Sequence, residues 1–131
     1  MLLGNPSKAA TSNSNNYLLD KGYYILSYNN STRIANWVSW HLDASDIGTT
    51  DRQDDFRPDA NLPSSWYKVD DSSYSGSGFD RGHNCPSADR TSSVAANSAT
   101  FLMTNMIPQA PNNNRQTWAN LEDYARTLVS A

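Results

Sequence analysis

Three closely spaced residues, Asp80, Arg81 and His83, bring an acid, a guanidinium and an imidazole within four positions of the chain. Gly82 lies between the last two, and a residue without a Cβ lets the backbone turn sharply or approach a ligand closely. A neutral imidazole can remove a proton from water while an arginine beside it holds an anion. Hydrolysis of a phosphodiester needs both actions, so these residues predict phosphodiester chemistry.

A second group of candidates, Asn114 and Glu122, lies toward the end of the sequence. The apolar spacing predicts an amphipathic helix over residues 113–129, in which these two side chains are separated by only roughly 80° around the axis. Arg126 follows Glu122 by one helical turn and can neighbour it. Magnesium prefers oxygen ligands and keeps much of its water, so one amide oxygen can be enough to hold it. Helix capping is the alternative for the consecutive asparagines Asn112, Asn113 and Asn114.

The elements that must position these residues are predicted from periodicity and turn residues. Two strands, Tyr23 to Tyr28 and Ala35 to Leu42, flank a polar turn and predict a hairpin. A buried strand is expected from Phe101 to Ile107, and a short helix capped by Ser87 should follow the central motif. The helix near the end should bury one apolar stripe, formed by Trp118, Leu121, Ala125 and Leu128.

Longer stretches of the sequence resemble a known family. The stretch DRGHNCPSADRT from Asp80 to Thr91 and the stretches Thr104 to Gln109 and Asn114 to Glu122 look like successive motifs of the DNA/RNA non-specific endonucleases, in the ββα-metal nuclease group. The resemblance implies an α+β fold, the ββα-metal or His-Me finger fold, with a largely antiparallel sheet flanked by helices. It also implies a metal-dependent enzyme that cuts DNA and RNA with little base preference and leaves 5′-phosphate ends.

The resemblance assigns roles to particular residues. His83 matches the general base, and Asn114 matches the asparagine that binds one hydrated magnesium or manganese ion. Glu122 matches the outer-shell carboxylate that orients the water on that ion, and Asn112 or Asn113 is then left as the helix cap. Arg52 matches the arginine that reaches the scissile phosphate. The predicted catalytic set is His83, Arg52, Arg81, Asp80, Glu122 and Arg126, with Asn114 as the metal ligand.

Other roles stay open. Asp80 can orient either His83 or a water on the metal, and Arg81 can bind phosphate or brace its loop. Arg57 competes with Arg52 but suits a structural position, and a solvated charged loop is the rival interpretation of that segment. His41 is interpreted as a packed or surface residue in a strand. If the pKa of His83 stays near about 6.5, activity should rise from mildly acidic to neutral pH.

Length and composition limit the function classes. A chain of 131 residues is expected to form one domain, residues 1–131, and to lack C-terminal strands that complete the sheet of longer family members. The net charge of −3 does not favour binding of DNA by electrostatic attraction alone, although arginines are frequent between Arg52 and Arg126. The single cysteine, Cys85, excludes an internal disulfide and a CxxC zinc site.

The remaining predictions concern location and rival functions. No membrane segment or signal-peptide core is predicted, because Gly4 interrupts the short apolar start, while the Ser- and Asn-rich composition suits a secreted or periplasmic protein. DNA and RNA are the expected substrates. The alternatives are a catalytically silent nucleic-acid-binding module, an inactive fragment of such a nuclease, or a sugar-binding domain that the ordered motifs do not favour.

Overall fold

Two antiparallel sheets and two α-helices form the framework of residues 1–130, the part of the chain that this computed structural model describes. The first sheet contains β1 (Tyr17–Asp20), β2 (Ile25–Asn29) and β3 (Ile34–Ser39). The second pairs β4 (Asp80–His83) with β5 (Met106–Gln109), and the helices are α1 (Val94–Ala99) and α2 (Ala119–Ser130). This is the predicted α+β arrangement. Within residues 1–130, no helix is both long and apolar enough to cross a membrane.

The predicted hairpin is present in the three-stranded sheet, with shorter strands than expected. β2 pairs antiparallel with β3, and the register shifts after Ser27. The first strand, β1, was not predicted from the sequence, and it pairs with the other edge of β2. Gly22 lies between β1 and β2 with a φ of +76°, a conformation that glycine adopts without strain. The buried core of this region consists of Leu19, Tyr24, Leu26, Tyr28, Leu62 and Cys85.

The central motif forms a strand instead of a sharp turn. His83 pairs with Met106, and Gly82 pairs with Ile107. A Cβ on Gly82 would lie only 2.2 Å from the side-chain oxygen of Gln109. Glycine is therefore needed here because the Gln109 side chain packs directly onto the backbone of β4.

The segment before β5 differs from the predicted buried strand. Met103–Asn105 is a 3-10 turn, and β5 begins only after it and includes Pro108. The backbone of Arg57 donates to Phe101 and accepts from Met103, which ties this segment to the upstream loop. Proline is tolerated in β5 because the strand belongs to a two-stranded sheet and so lies at an edge.

Buried amide side chains hold the loop that follows β4. Asn105 accepts a hydrogen bond from the backbone of Cys85 at 2.9 Å and donates one back to its carbonyl at 2.9 Å. Asn97 donates to the carbonyl of Ser87 at 2.8 Å. The predicted short helix is present as the 3-10 helix Ser87–Asp89, but the predicted cap by Ser87 is wrong, because Pro86 stands at the cap position without a side-chain hydrogen bond. The loop is fixed by satisfied polar groups inside the protein.

The helix near the end of the chain begins irregularly and packs through an unexpected face. A π-helical segment, Asn113–Trp118, precedes α2 where the sequence predicted ordinary α-helix. Arg126 on α2 forms an ion pair with Asp89, whose side chain is only 3% exposed, and this face turns inward. The predicted inner stripe is wrong, because Leu121 and Leu128 are 54% and 61% exposed.

Candidate active site

Five of the predicted residues meet in one cavity of about 230 Å³. It lies between the end of β4, the π-helical segment and the start of α2. Asp80 and Arg126 belong to the predicted set but lie outside its lining. The five are Arg52, Arg81, His83, Asn114 and Glu122, and the wall is completed by Pro86, Ser87, Ala88 and Ala119.

His83 ends β4 and is almost completely buried, with 9% exposure. Its ring meets Phe56 and Phe101 edge-on, with centroid distances of 5.8 and 4.9 Å. Burial lowers the pKa of His83 from 6.5 to about 3, and the positive charges of Arg52 and Arg81 contribute to the shift. The imidazole is therefore neutral at physiological pH and able to accept a proton. The condition attached to the predicted rise of activity with pH, a pKa near 6.5, is therefore not met, because of burial that the sequence does not show.

Arg52 is held at the cavity by contacts on two sides. Its guanidinium donates to the hydroxyl of Ser87 at 2.9 Å and to the carboxylate of Asp54 at 2.6 Å. It also lies 4.8 Å from the centroid of the Phe101 ring, within reach of a cation–π interaction. The Ser87 hydroxyl, which was predicted to cap a helix, thus accepts a hydrogen bond from Arg52.

Arg81 lines the same cavity as the imidazole. Its guanidinium carbon is 3.7 Å from the centroid of Phe56, and it donates to the carbonyl of Asp71 at 3.2 Å. Stacking leaves the edge of a planar guanidinium available for forked contacts to phosphate. Since Phe56 also contacts His83, one aromatic ring supports both the imidazole and the arginine.

The Asp80 carboxylate binds Asn114 and Arg115. It accepts a hydrogen bond from the amide nitrogen of Asn114 at 3.0 Å and two from Arg115 at 2.8 and 2.7 Å. The bond from Arg115, followed by that from Asn114, lowers the pKa of Asp80. Because the amide nitrogen is engaged, the amide oxygen of Asn114 is the atom left to act as a ligand. Arg115 was not predicted as a site residue, and its position beside Asn114 is the only sequence signal for it.

The three consecutive asparagines differ in position. Asn112 and Asn113 are exposed, whereas Asn114 is half-buried and lines the cavity. Asn112 stands at the cap position of the π-helical segment without a side-chain capping bond, so capping by that residue is not observed. The geometry therefore distinguishes Asn114 from its neighbours.

Glu122 faces the cavity from the first turn of α2. Burial raises the pKa of Glu122 to about 7, against the opposing charge of Arg126, and Asp89 and Asp123 raise it further. Arg126 donates to Asp89 at 2.7 Å and also pairs with Asp123. Asp89 accepts a second bond from the indole of Trp40 at 2.9 Å. Arg126 thus connects α2 to a buried carboxylate beneath the cavity.

The second histidine, His41, lies apart from the cavity. It follows the end of β3, so its predicted place within a strand is wrong, and its side chain is 64% exposed. Its Nδ1 lies 3.7 Å from Asp43 and 3.6 Å from Asp46. These two carboxylates form the capping box of the 3-10 turn Ala44–Asp46, which accounts for their position. His41 is thus a surface residue, as one of the two predicted interpretations had it.

The donor set of the cavity fits a hard divalent cation. Asn114 offers an oriented amide oxygen, and Glu122 offers a carboxylate whose charged form is disfavoured by burial. A cation nearby would favour that charged form. Magnesium and manganese take oxygen ligands of this kind, so the cavity suits either ion.

A larger groove adjoins the cavity. It has a volume of about 800 Å³, and Arg52, Arg81 and Asn114 line both spaces. Its lining includes residues of the loop 71–79 and Arg115. An extended ligand can therefore lie in the groove and reach the imidazole.

Comparison with known proteins identifies the class to which this fold and site belong. A family model described as DNA/RNA non-specific endonuclease matches residues 4–131. The chain belongs to the DNA/RNA non-specific endonuclease family.

Individual relatives agree with this assignment. The chain is similar to a nuclease of Nostoc sp., with 60% identity over 132 residues that cover 99% of this chain and 48% of that protein. It is similar to mitochondrial endonuclease G of Homo sapiens, with 39% identity over 108 residues that cover 81% and 36% of the two chains. A chain of the crystal structure of the EndoG/EndoGI complex matches with a TM-score of 0.79 and 30% identity, over 86% of this chain and 48% of that one.

The structural match confirms the ββα-metal nuclease fold that the sequence predicted. The chain spans about half the length of the Nostoc relative and of the matched structure.

Proposed function

We propose that this chain forms the active site of a metal-dependent endonuclease that hydrolyses phosphodiester bonds of DNA and RNA. The observation that carries the proposal is the buried imidazole of His83, which lines one cavity together with Arg52 and Arg81. Phosphodiester hydrolysis requires a base next to groups that stabilise negative charge. Membership of the endonuclease family supports the same reaction.

In the proposed reaction, His83 takes a proton from a water molecule as the water oxygen attacks phosphorus. The bond from phosphorus to the 3′ oxygen breaks, the phosphate remains on the 5′ oxygen of the downstream nucleotide, and the released 3′ oxygen takes a proton from solvent water. Arg52 and Arg81 hold the anionic oxygens, which reduces their repulsion of the incoming oxygen and stabilises the charge that develops. Both guanidiniums are already fixed by aromatic and polar neighbours, so little order has to be gained on binding.

Asn114 would hold the divalent cation through its amide oxygen, and the bond from its amide nitrogen to Asp80 keeps the oxygen turned away from that carboxylate. When bound, magnesium or manganese supplies Lewis-acid stabilisation of the leaving oxygen. Glu122 adds negative charge to the same lining and favours a cation there. Asp80 and Arg126 act as positioning residues. Asp80 orients Asn114 through their hydrogen bond, and the charge of Arg126 acts on Glu122.

A site built on phosphate contacts accepts both DNA and RNA. Contacts of arginine to phosphate fix the register of a strand but carry no sequence information. The charged residues that line the cavity are therefore consistent with cleavage that has little base preference.

Nicking of a supercoiled plasmid by the purified chain, with magnesium or manganese, tests the proposal. His83→Ala should lower turnover by about a hundredfold or more, as expected for loss of a general base. His41→Ala is the matched control and should leave turnover unchanged, because that histidine is exposed and outside the cavity.

Two outcomes would contradict the proposal. Near-full activity of His83→Ala would reject this residue as the base. Binding of nucleic acid without any cleavage by the unaltered chain would instead favour the catalytically silent binding module.

A further inference from the structure

The groove beside the cavity carries an aromatic ring that the proposed chemistry does not use. Phe79 lies in its lining and is 53% exposed. Phe56 lines the same groove, but its ring already contacts Arg81, His83 and Phe101. Phe79 makes no ring stacking or cation–π contact with any residue between 1 and 130. One of the two phenylalanines thus supports the site, and the other leaves a large part of its surface to solvent.

The loop before Phe79 is held by its own hydrogen bonds. The backbone of Phe79 donates to the hydroxyl of Ser77 at 3.1 Å, and that hydroxyl donates to the carbonyl of Tyr74 at 2.6 Å. Tyr74 in turn packs against the buried cluster that contains Met103 and Met106. The ring of Phe79 is therefore presented by an anchored loop, and ordering it on binding costs little conformational entropy.

Phe79 is also placed in line with the catalytic residues. It immediately precedes β4, and alternate residues of an extended chain point to the same side. Phe79, Arg81 and His83 are such alternate residues, with successive members roughly 6.7 Å apart along the chain. The exposed ring is therefore near the arginine that is proposed to hold the phosphate.

We propose that Phe79 is a stacking platform for a nucleobase of the substrate strand, close to the phosphate that is cleaved. This inference rests on the proposed function and names a subsite of the same active site. Every base has a flat π-face, so stacking on phenylalanine adds affinity without sequence preference. That property agrees with a groove whose lining includes Arg52, Arg81 and Arg115, side chains that can bind phosphate without reading a sequence.

The subsite favours an unpaired strand. In a duplex the bases stack on one another, and a base reaches the ring of Phe79 only after it leaves its neighbours, which costs energy. A single strand or a distorted site does not have to overcome this cost in full. The contribution of Phe79 should therefore be larger for single-stranded than for double-stranded substrates.

Binding measured in EDTA isolates the subsite from catalysis. The probes are a labelled single-stranded oligothymidylate and an abasic strand of the same length and charge. The unaltered chain should bind oligothymidylate about tenfold more tightly than the abasic strand, and Phe79→Ala should remove most of that difference. Phe79→Trp should keep it, because tryptophan also stacks, whereas Phe79→Leu should not.

Tyr67→Ala is the matched control. Tyr67 is also 53% exposed, but it lies under Arg33 and is absent from the groove lining. This variant should preserve the difference between the two probes. In cleavage assays, Phe79→Ala should raise KM about tenfold for the single strand with kcat within about twofold, and should change KM less for a duplex of the same sequence.

The results separate this inference from the proposed function. An equal effect of Phe79→Ala on both probes, full rescue by Phe79→Leu, or an equal KM change for single strand and duplex would overturn the stacking subsite. Those outcomes leave the endonuclease proposal intact if the unaltered chain cleaves DNA. Conversely, a preserved base-dependent difference in EDTA with no cleavage by the unaltered chain would reject the enzyme and keep the subsite.

Discussion

The surroundings of His83 and His41 show how position determines what the same side chain can do. His83 lies at the end of β4 between two phenylalanine rings, with arginines nearby, and is 9% exposed. His41 lies just after β3 with a 64% exposed side chain, and its charged neighbours are carboxylates. Solvent screens the charges around the exposed residue. Burial and the positive charges of the arginines thus act on His83, whereas His41 is open to solvent beside carboxylates.

The largest effect on activity is expected at Asn114, which offers an amide oxygen in the same cavity as His83. Asn114→Ala should lower metal-dependent turnover about a hundredfold, because it removes the oriented amide oxygen. EDTA should stop cleavage reversibly, and magnesium or manganese should restore it. Plasmid nicking at increasing metal concentration measures both effects.

Asn112→Ala is the control for that experiment, since Asn112 is exposed and makes no capping bond. Its activity should match that of the unaltered chain. Loss of activity in Asn112→Ala with retention in Asn114→Ala would show that the register of the metal ligand is wrong.

A second prediction concerns the tight packing beneath His83. Gly82→Ala places a Cβ 2.2 Å from the oxygen and 2.7 Å from the Cβ of Gln109, so it should lower the free energy of unfolding by about 1–3 kcal/mol. Urea unfolding followed by circular dichroism measures the loss. Adding Gln109→Ala should recover part of it, since this change removes the oxygen at 2.2 Å but keeps the Cβ at 2.7 Å. An unchanged midpoint for Gly82→Ala would disprove the close contact.

The third prediction uses the opposite pKa shifts of His83 and Glu122. The pKa of Glu122 is raised from 4.5 to about 7, so the stability linked to its proton is complete below pH 4.5 and is lost as pH rises to about 7. His83 has a lowered pKa, so its contribution is complete above pH 6.5 and is lost as pH falls toward about 3. The two contributions therefore change in opposite directions between these limits.

Glu122→Gln isolates the glutamate contribution. In EDTA, this variant should gain stability over the unaltered chain as pH rises from 4.5 to 7. A pKa shift of this size corresponds to about 3 kcal/mol at pH 7, and solvent screening of the half-buried carboxyl lowers the expected gain to about 1–2 kcal/mol. Urea unfolding at a series of pH values gives the difference. A difference that stays constant with pH would mean that Glu122 does not titrate in this range.

The smallest effect is expected on the outer face of α2. Leu128→Ser should change the free energy of unfolding of this chain by less than about 0.5 kcal/mol, because the side chain is 61% exposed. Leu26→Ala, in the buried core, should cost about 2–5 kcal/mol in the same assay. Equal losses of unfolding free energy for the two variants would show that Leu128 is buried, as the predicted apolar stripe requires.

The sequence was most informative about the residues that reach the cavity. Arg81 and His83 are close along the chain, while Asn114 and Glu122 are related by helical spacing and by the family motif. Local spacing and motif resemblance are enough to group such residues. The confirmed family and fold follow from the same motifs.

The sequence was less informative wherever distant segments meet. Phe56 and Phe101 come from separate parts of the chain, and their packing around His83 produces the shifted pKa. The inward face of α2 is set by the ion pair of Arg126 with Asp89, which overrides the apolar stripe. Periodicity reports which residues share a face of a helix but does not report which face becomes buried.

Cys85 lies two residues after His83 and is fully buried, and its backbone is bound on both sides by the Asn105 amide. Burial raises the pKa of this thiol to about 12, so almost none of it is thiolate at neutral pH. Alkylating reagents attack the thiolate, and they also need access to it. The rate at which this single cysteine is labelled therefore measures how often the region beside the proposed catalytic base opens transiently. No probe has to be introduced for this measurement.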